Sequence, residues 1–140
     1  MTLPVISGWM EQKYAYIPAL LKVYENLPSV SSTLDLNTWF DGKLSFSPPV
    51  RDFSQQGFPL QGGRLDVLDG RAIAALVFGR RKHEINVFVW PNNAMPEGVR
   101  SGSQQGYNWI QWNSGGFEFW AVSDAALADL QELRQLFESS

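Results

Sequence analysis

The sequence predicts an α+β domain, in which an antiparallel meander sheet of about five strands is flanked by an N-terminal and a C-terminal helix. Three observations carry this prediction. Short apolar runs broken by glycine turns fill the middle of the chain, and an apolar stripe at helical spacing stands near each end. A chain of 140 residues fits one domain. We expect residues 1–26 to contain the first helix, 38–122 the sheet and 124–138 the last helix.

The N-terminal helix is predicted over Gly8–Asn26, and Pro18 should kink or divide it. Its apolar positions alternate steps of four and three, which gives a heptad-like seam: Met10, Tyr14, Ile17, Leu21 and Tyr24. The seam has two interpretations. It packs on the sheet of its own chain, or it pairs with a second copy in a homodimer.

A connection precedes the sheet. The Ser-rich stretch 27–37 reads as a loop with room for a short helical turn, and Thr38–Phe46 reads as a hairpin because Asp41 and Gly42 stand between short apolar runs. Pro48 and Pro49 end any strand there, so the stretch 50–56 is expected to be a loop with room for one helical turn.

The strands follow in close succession. They are predicted at Leu60–Leu68, Ala72–Phe78, Glu84–Trp90, Tyr107–Asn113 and Phe117–Val122, with a long loop at 91–105. Neighbouring strands that are joined by only a few residues must be antiparallel. Ser123 or Asp124 is the expected N-cap of the last helix, whose stripe is Ala126, Leu130, Leu133 and Phe137.

Both faces of the predicted sheet are apolar, so either the two helices cover opposite faces or one face meets a partner or ligand. A set of aromatic residues on the last three strands could form a wall for a sugar or an apolar ligand, or could simply pack in the core: Trp90, Tyr107, Trp109, Trp112 and Trp120. We take Trp90, Tyr107, Trp112 and Trp120 as the candidate contact residues.

Composition excludes several classes of function. The formal net charge of −3 disfavours nucleic acid as a partner, and the absence of cysteine excludes disulfides and thiolate metal sites. With one histidine and no Asp-rich calcium loop, neither a metal nor a cofactor is expected. His83 lies in a basic turn, and the only enzymatic alternative is a hydrolase built on His83 with Asp66 or Asp69. We therefore expect no enzymatic activity.

Five segments resemble the C-terminal extracytoplasmic region of transmembrane anti-sigma factors, the regulators of extracytoplasmic-function sigma factors. They are WFDGKLSFSPPV from Trp39, GFPLQGGRLDVLDGRAIAALVF from Gly57, INVFVWP from Ile85, GYNWIQW from Gly106 and FWAVSD from Phe119. Together they cover most of residues 39–130, over half of the chain, and their order and spacing carry the resemblance.

The resemblance implies a periplasmic sensory domain of an inner-membrane regulator of transcription. In such regulators a cytoplasmic domain, often with a zinc-binding His-x₃-Cys-x₂-Cys pattern, sequesters the sigma factor, and one membrane span precedes the periplasmic domain. This sequence has no Cys and no apolar run long enough to span a membrane. Contact with the sigma factor and the membrane is therefore expected through segments outside this chain, with the N-terminal helix continuing from the span.

Overall fold

The computed structural model describes residues 33–68, 70–93 and 98–140. Helix α1 (Thr33–Asp41) comes first, and a 3₁₀ turn (Ser54–Gln56) leads into the sheet. The strands are β1 (Leu60–Leu68), β2 (Arg71–Arg80), β3 (His83–Pro91), β4 (Arg100–Gln104), β5 (Tyr107–Ser114) and β6 (Phe117–Ser123), and helix α2 (Leu127–Glu138) follows. The α+β class and the antiparallel sheet are confirmed. The predicted N-terminal helix and its seam lie outside the described residues.

The sheet has six strands in the order β1-β2-β3-β6-β5-β4, so it is not one continuous meander. Strands β1 to β3 form one hairpin ladder and β4 to β6 form another, and all neighbouring pairs are antiparallel. After β3 the chain crosses to the far edge and returns, which brings β6 beside β3. The centre of the sheet is therefore a pairing of residues about thirty positions apart, between 86–91 and 117–122.

Strand β4 was missed because its sequence, RSGSQ, carries no apolar alternation. It is an edge strand that pairs only with β5, and short polar edges are a common protection against unwanted pairing. The turn that follows β4 shows that a hairpin joins it to β5. Gln105 and Gly106 both have positive φ, 54° and 85°, which is the geometry of a two-residue hairpin turn.

The first face of the sheet, which carries Leu76, Val87 and Trp112, packs on both helices and holds the main core. Phe137 of α2 lies at its centre. The ring centroids of Phe53, Phe78 and Phe119 lie 5.1, 5.6 and 5.4 Å from that of Phe137. Edge-to-face and tilted pairs of this kind add to the free energy of burying the rings. The C-terminal helix thus docks as its apolar stripe predicts.

The predicted hairpin at Thr38–Phe46 is wrong, because Thr38 to Asp41 belong to α1. Asp-Gly here ends a helix rather than joining two strands: the carbonyl of Phe40 accepts hydrogen bonds from the backbone N–H groups of Lys43 and Leu44. Leu36 and Phe40 stand four positions apart and are both fully buried. One helical stripe therefore anchors α1.

Helix α2 begins at Leu127, later than the predicted start at residue 124. The Ser123 hydroxyl accepts a hydrogen bond from the backbone N–H of Ala125, and Ala126 is the N-cap. Arg80, at the end of β2, then ties the first turns of α2 to the sheet. Its guanidinium lies 3.1 Å from Asp129, 3.3 Å from Glu132 and 4.4 Å from the centroid of the Phe58 ring.

Asp52 organises the entry into β1. Its Oδ1 accepts hydrogen bonds from the Ser54 hydroxyl at 2.6 Å, and from the backbone N–H groups of Leu60 at 2.9 Å and Ser54 at 3.2 Å. The Ser54 hydroxyl is the main cause that lowers the pKa of Asp52, and the two backbone donors add to it against the opposing effect of burial. The ionised carboxylate therefore stabilises this turn.

We predict that Gly63→Ala destabilises the domain by loosening α1. A Cβ at residue 63 would lie 2.9 Å from Leu36 Cδ1 and 3.0 Å from Phe40 Cζ, so the helix must shift. Overpacking of this kind costs about 1–3 kcal/mol of unfolding free energy, measured by urea denaturation.

Gly42→Ala is the matched control, because a Cβ there meets no heavy atom within 4 Å. It should change stability by less than about 0.5 kcal/mol. Leu36→Ala should also lower the free energy of unfolding by less in the Gly63→Ala background than in the natural chain. Equal effects of the two glycine substitutions would contradict the close contact of α1 with β1.

We predict a pH-dependent effect for Asp52→Asn. The pKa of Asp52 in the folded state lies below its ordinary value of 3.8, so the stabilising effect of the carboxylate is complete above that value and is lost as the pH falls through the folded pKa. Since the carboxylate is exposed, the free energy of unfolding of the natural chain should exceed that of the variant by at most about 1 kcal/mol.

Urea midpoints at pH 7, 5, 3 and 2 measure this difference. It should be constant between pH 7 and 5 and should shrink at the two lowest values. Asp41→Asn is the control, because Asp41 is exposed and accepts no hydrogen bond from a described residue. A difference for Asp52→Asn that stays unchanged to pH 2 would contradict a role of the ionised form.

Candidate functional site

The second face of the sheet, opposite the helices, carries a separate apolar cluster. This second-face cluster consists of buried Ile73, Ala75, Phe88, Trp90, Trp120 and Val122, with Tyr107 and Trp109 packed against it. All of these residues lie on strands. The described helices contribute to the other core instead, so the two faces of the sheet have different neighbours.

The four candidate contact residues do not share one surface. Trp90, Tyr107 and Trp120 belong to the second-face cluster. Trp112 is fully buried on the first face, where its ring stacks on Phe119 at 4.9 Å with an interplanar angle of 2°. The inclusion of Trp112 in an aromatic wall is therefore wrong, because alternation along β5 sends it beneath α2.

Trp109 joins the three remaining residues. Its ring centroid lies 5.0 Å from that of Trp120. Trp90 and Trp120 are only 5% and 6% exposed, so their rings are packed rather than displayed to solvent. The second-face cluster is thus a closed aromatic layer in this conformation, and a flat sugar-stacking platform would need these rings to be accessible.

Buried polar groups surround the cluster, and Glu118 is the most constrained of them. It is 2% exposed, and its Oε2 accepts a hydrogen bond of 2.7 Å from Trp120 Nε1. Its Oε1 accepts another, of 2.9 Å, from Asn92 Nδ2. One carboxylate therefore fixes both the indole ring on β6 and the chain that leaves β3.

Arg64 brings a positive charge to the same face from β1. It is largely buried, and its Nη1 donates a 2.6 Å hydrogen bond to Asn86 Oδ1. Its guanidinium carbon lies 5.8 Å from the centroid of the Phe88 ring. A buried guanidinium carries a large desolvation cost and is retained only where hydrogen bonds and ring contacts hold it.

His83 pairs with Asp124, which the sequence did not indicate as its partner. The distance between His83 Nδ1 and Asp124 Oδ1 is 3.0 Å, and the two side chains are 42% and 61% exposed. The neighbouring Ser123 hydroxyl is engaged elsewhere: it donates to the backbone carbonyl of Glu84 and accepts from the N–H of Ala125. The pair therefore lacks the hydrogen bond to Ser123 that would activate a nucleophile.

The alternative of a hydrolase on His83 and Asp66 is not supported by their positions. Asp66 pairs with Ile73 and His83 pairs with Arg80, seven positions further along β2. At about 3.3 Å per residue they are separated by roughly 20 Å. Asp69 lies outside the described residues. Burial and the Asp124 carboxylate raise the pKa of Tyr107 above its ordinary value.

A cavity opens where β2 begins and β3 ends. Its volume is about 390 Å³, within the range of roughly 300–1,000 Å³ found for small-molecule sites. Its lining includes Lys43, Ser45, Phe46, Arg71, Ile73 and Trp90. The cavity thus touches the second-face cluster through Ile73 and Trp90 and is open to two cationic side chains. Sequence reasoning named only Trp90 of this set, because the other residues converge through the tertiary fold.

We predict that Glu118→Ala destabilises the domain by about 2–3 kcal/mol, since it leaves the buried indole N–H of Trp120 and the amide of Asn92 without their acceptor. Glu118→Gln keeps one acceptor oxygen and should cost less. Urea unfolding followed by tryptophan fluorescence measures both. Glu138→Gln, on the exposed face of α2, is the control. Identical losses for the alanine and glutamine variants would contradict the acceptor role.

Within the described ranges no three His, Cys, Asp or Glu side chains come together as a metal site, and no described helix is long and apolar enough to cross a membrane. Comparisons with protein-family models, with curated proteins and with solved structures found no match. The geometry of the second-face cluster and of the adjoining cavity is therefore what the chain offers as a guide to function.

Proposed function

We propose that this chain is the extracytoplasmic sensory and regulatory domain of a membrane-bound anti-sigma factor. In this proposal it lies on the periplasmic side of the inner membrane and controls the release of a sigma factor, and hence transcription, without being an enzyme. The resemblance of residues 39–130 supplies the family. The sigma factor and the membrane are contacted by parts of the regulator outside this chain.

The structural observation that supports a sensory role is the difference between the two faces of the sheet. The first face is packed by α1 and α2 around an apolar core. The second face combines aromatic rings with buried Arg64, Asn86 and Glu118. Packing that includes buried hydrogen bonds is sensitive to any change of partner, because each lost hydrogen bond leaves a desolvated group behind.

The proposed mechanism is a shift between two packing states of the second face. A signal that binds one state more tightly than the other moves the equilibrium by its difference in binding free energy. The N-terminal segment then carries the change towards the membrane. A homodimer through Met10, Tyr14, Ile17, Leu21 and Tyr24 stays a prediction, because these residues lie outside the described part of the chain.

A second candidate function is a small-ligand-binding module that uses the aromatic face. The cavity beside Trp90 favours it, whereas the burial of Trp120 disfavours an open aromatic platform. The two functions are compatible if the ligand is the signal. They separate experimentally, because ligand binding is measured on this chain alone and regulation is measured in cells.

We predict that removing residues 33–140 from the full-length regulator changes the activity of a sigma-dependent reporter severalfold under envelope stress. An unchanged reporter would overturn the regulatory proposal. The finer test compares two conservative variants. Trp120→Phe removes the indole donor to Glu118 on the second face, and Trp112→Phe alters a buried ring on the first face.

Trp120→Phe should shift the response of the reporter to stress, whereas Trp112→Phe should leave it near that of the natural regulator. Immunoblots confirm equal amounts of both proteins. If the two variants respond alike at equal abundance, the second face is not the responsive surface.

A further inference from the structure

We propose that the cavity at the start of β2 and the end of β3 binds a small organic anion, a carboxylate carried on a compact apolar or aromatic body. This site goes beyond the regulatory proposal and does not depend on it. Two sets of side chains meet there, one cationic and one apolar. A volume of about 390 Å³ suits a small ligand rather than a polymer.

The cationic set is Lys43 and Arg71. Lys43 follows α1 and Arg71 opens β2, so the tertiary fold alone brings them to one cavity. Neither forms an ion pair with a described residue, and no carboxylate is among the described residues that line the cavity. The Lys43 ammonium lies 4.6 Å from the centroid of the Trp39 ring, which holds it beside the opening.

The apolar set consists of Phe46, Ile73 and Trp90. Ile73 and Trp90 are buried from bulk solvent, and Phe46 is half-buried, with its ring centroid 6.1 Å from that of Phe117. Phe46 therefore provides most of the apolar area that a ring or a branched chain can cover, whereas Ile73 and Trp90, at 2% and 5% exposure, contribute little of it. The cavity is thus amphipathic, with charge on one side.

These two sets specify the ligand class. Arg71 offers a planar fork that matches a carboxylate, Lys43 adds a second positive charge, and the Ser45 hydroxyl is a further donor on the lining. Inorganic phosphate would interact only with the charges, and a neutral aromatic molecule only with the walls. A monoanion with an apolar body uses both, so it should bind more tightly than either.

Phenylacetate and its neutral isostere phenylacetamide are the probes. Each is titrated into the ¹⁵N-labelled chain, and binding is followed by the backbone signal of Ala72, another lining residue, and the indole signal of Trp90. Phenylacetate should shift both signals, and phenylacetamide should bind at least about threefold more weakly, as expected for the loss of one exposed charge contact.

Arg71→Gln and Lys43→Gln should each weaken phenylacetate binding at least about threefold. Lys82→Gln, an exposed cation in the turn at the opposite end of β2, should leave it unchanged. Both cavity cations are exposed, so the variants are expected to fold, and the comparison of the two probes needs no variant at all.

Equal binding of phenylacetate and phenylacetamide would overturn the anion site. Absence of any shift at Trp90 and Ala72 would overturn the cavity as the place of binding. If inorganic phosphate produced the same shifts at the same concentration, the apolar walls would have no part in recognition, and the proposed ligand class would be wrong. A failure of any of these tests leaves the reporter experiments on regulation unaffected.

Discussion

The pairing of β3 with β6 is the constraint on which the rest of this structure depends. It joins two hairpin ladders that are otherwise separate, and it sets which residues face the helices. In the observed register Phe88 pairs with Trp120, and Val87 pairs with Ala121. A slip of one residue would turn Phe88 towards the helices and Val87 away from them, because side chains alternate along a strand. The two cores of the domain therefore exist only in this register, and both hydrophobic layers favour it.

Different interactions stabilise the two hydrophobic layers. On the first face, the ring of Phe137 packs against those of Phe78 and Phe119. The Arg80 guanidinium and Asp129 form a partly buried ion pair at the edge of this layer. On the second face, hydrogen bonds to Glu118 hold the indole ring of Trp120 and the side-chain amide of Asn92. Apolar contacts have no fixed direction, whereas the hydrogen bonds to a buried carboxylate depend on both distance and angle, and their loss leaves desolvated groups behind. The second layer is accordingly the one in which a small movement has a large energetic effect.

Sequence pattern predicted the regular parts of this fold and failed where the signal was polar or long-range. Five strands and the last helix follow from alternation and helical spacing. Strand β4 has no apolar residue to alternate, and the Asp-Gly pair at Asp41 suits a hairpin and a helix end equally well. For the candidate site, alternation placed Trp112 and Trp109 on opposite faces but could not tell which face the helices cover. The partnership of His83 with Asp124 and the convergence of Lys43 with Arg71 arise from strand order, which no local pattern encodes.

The cavity and the centre of the sheet are linked by the register of β3 and β6. Trp90 lines the cavity, and its partner across the ladder is Glu118. Glu118 binds the side chain of Asn92, two positions after Trp90, and the indole of Trp120, which contacts Trp109. A molecule that displaced Trp90 would thus act first on the carboxylate that orders the second-face cluster. Because this cluster spans β2, β3, β5 and β6, a displacement of Trp90 at the cavity has a direct physical route to the middle of the sheet.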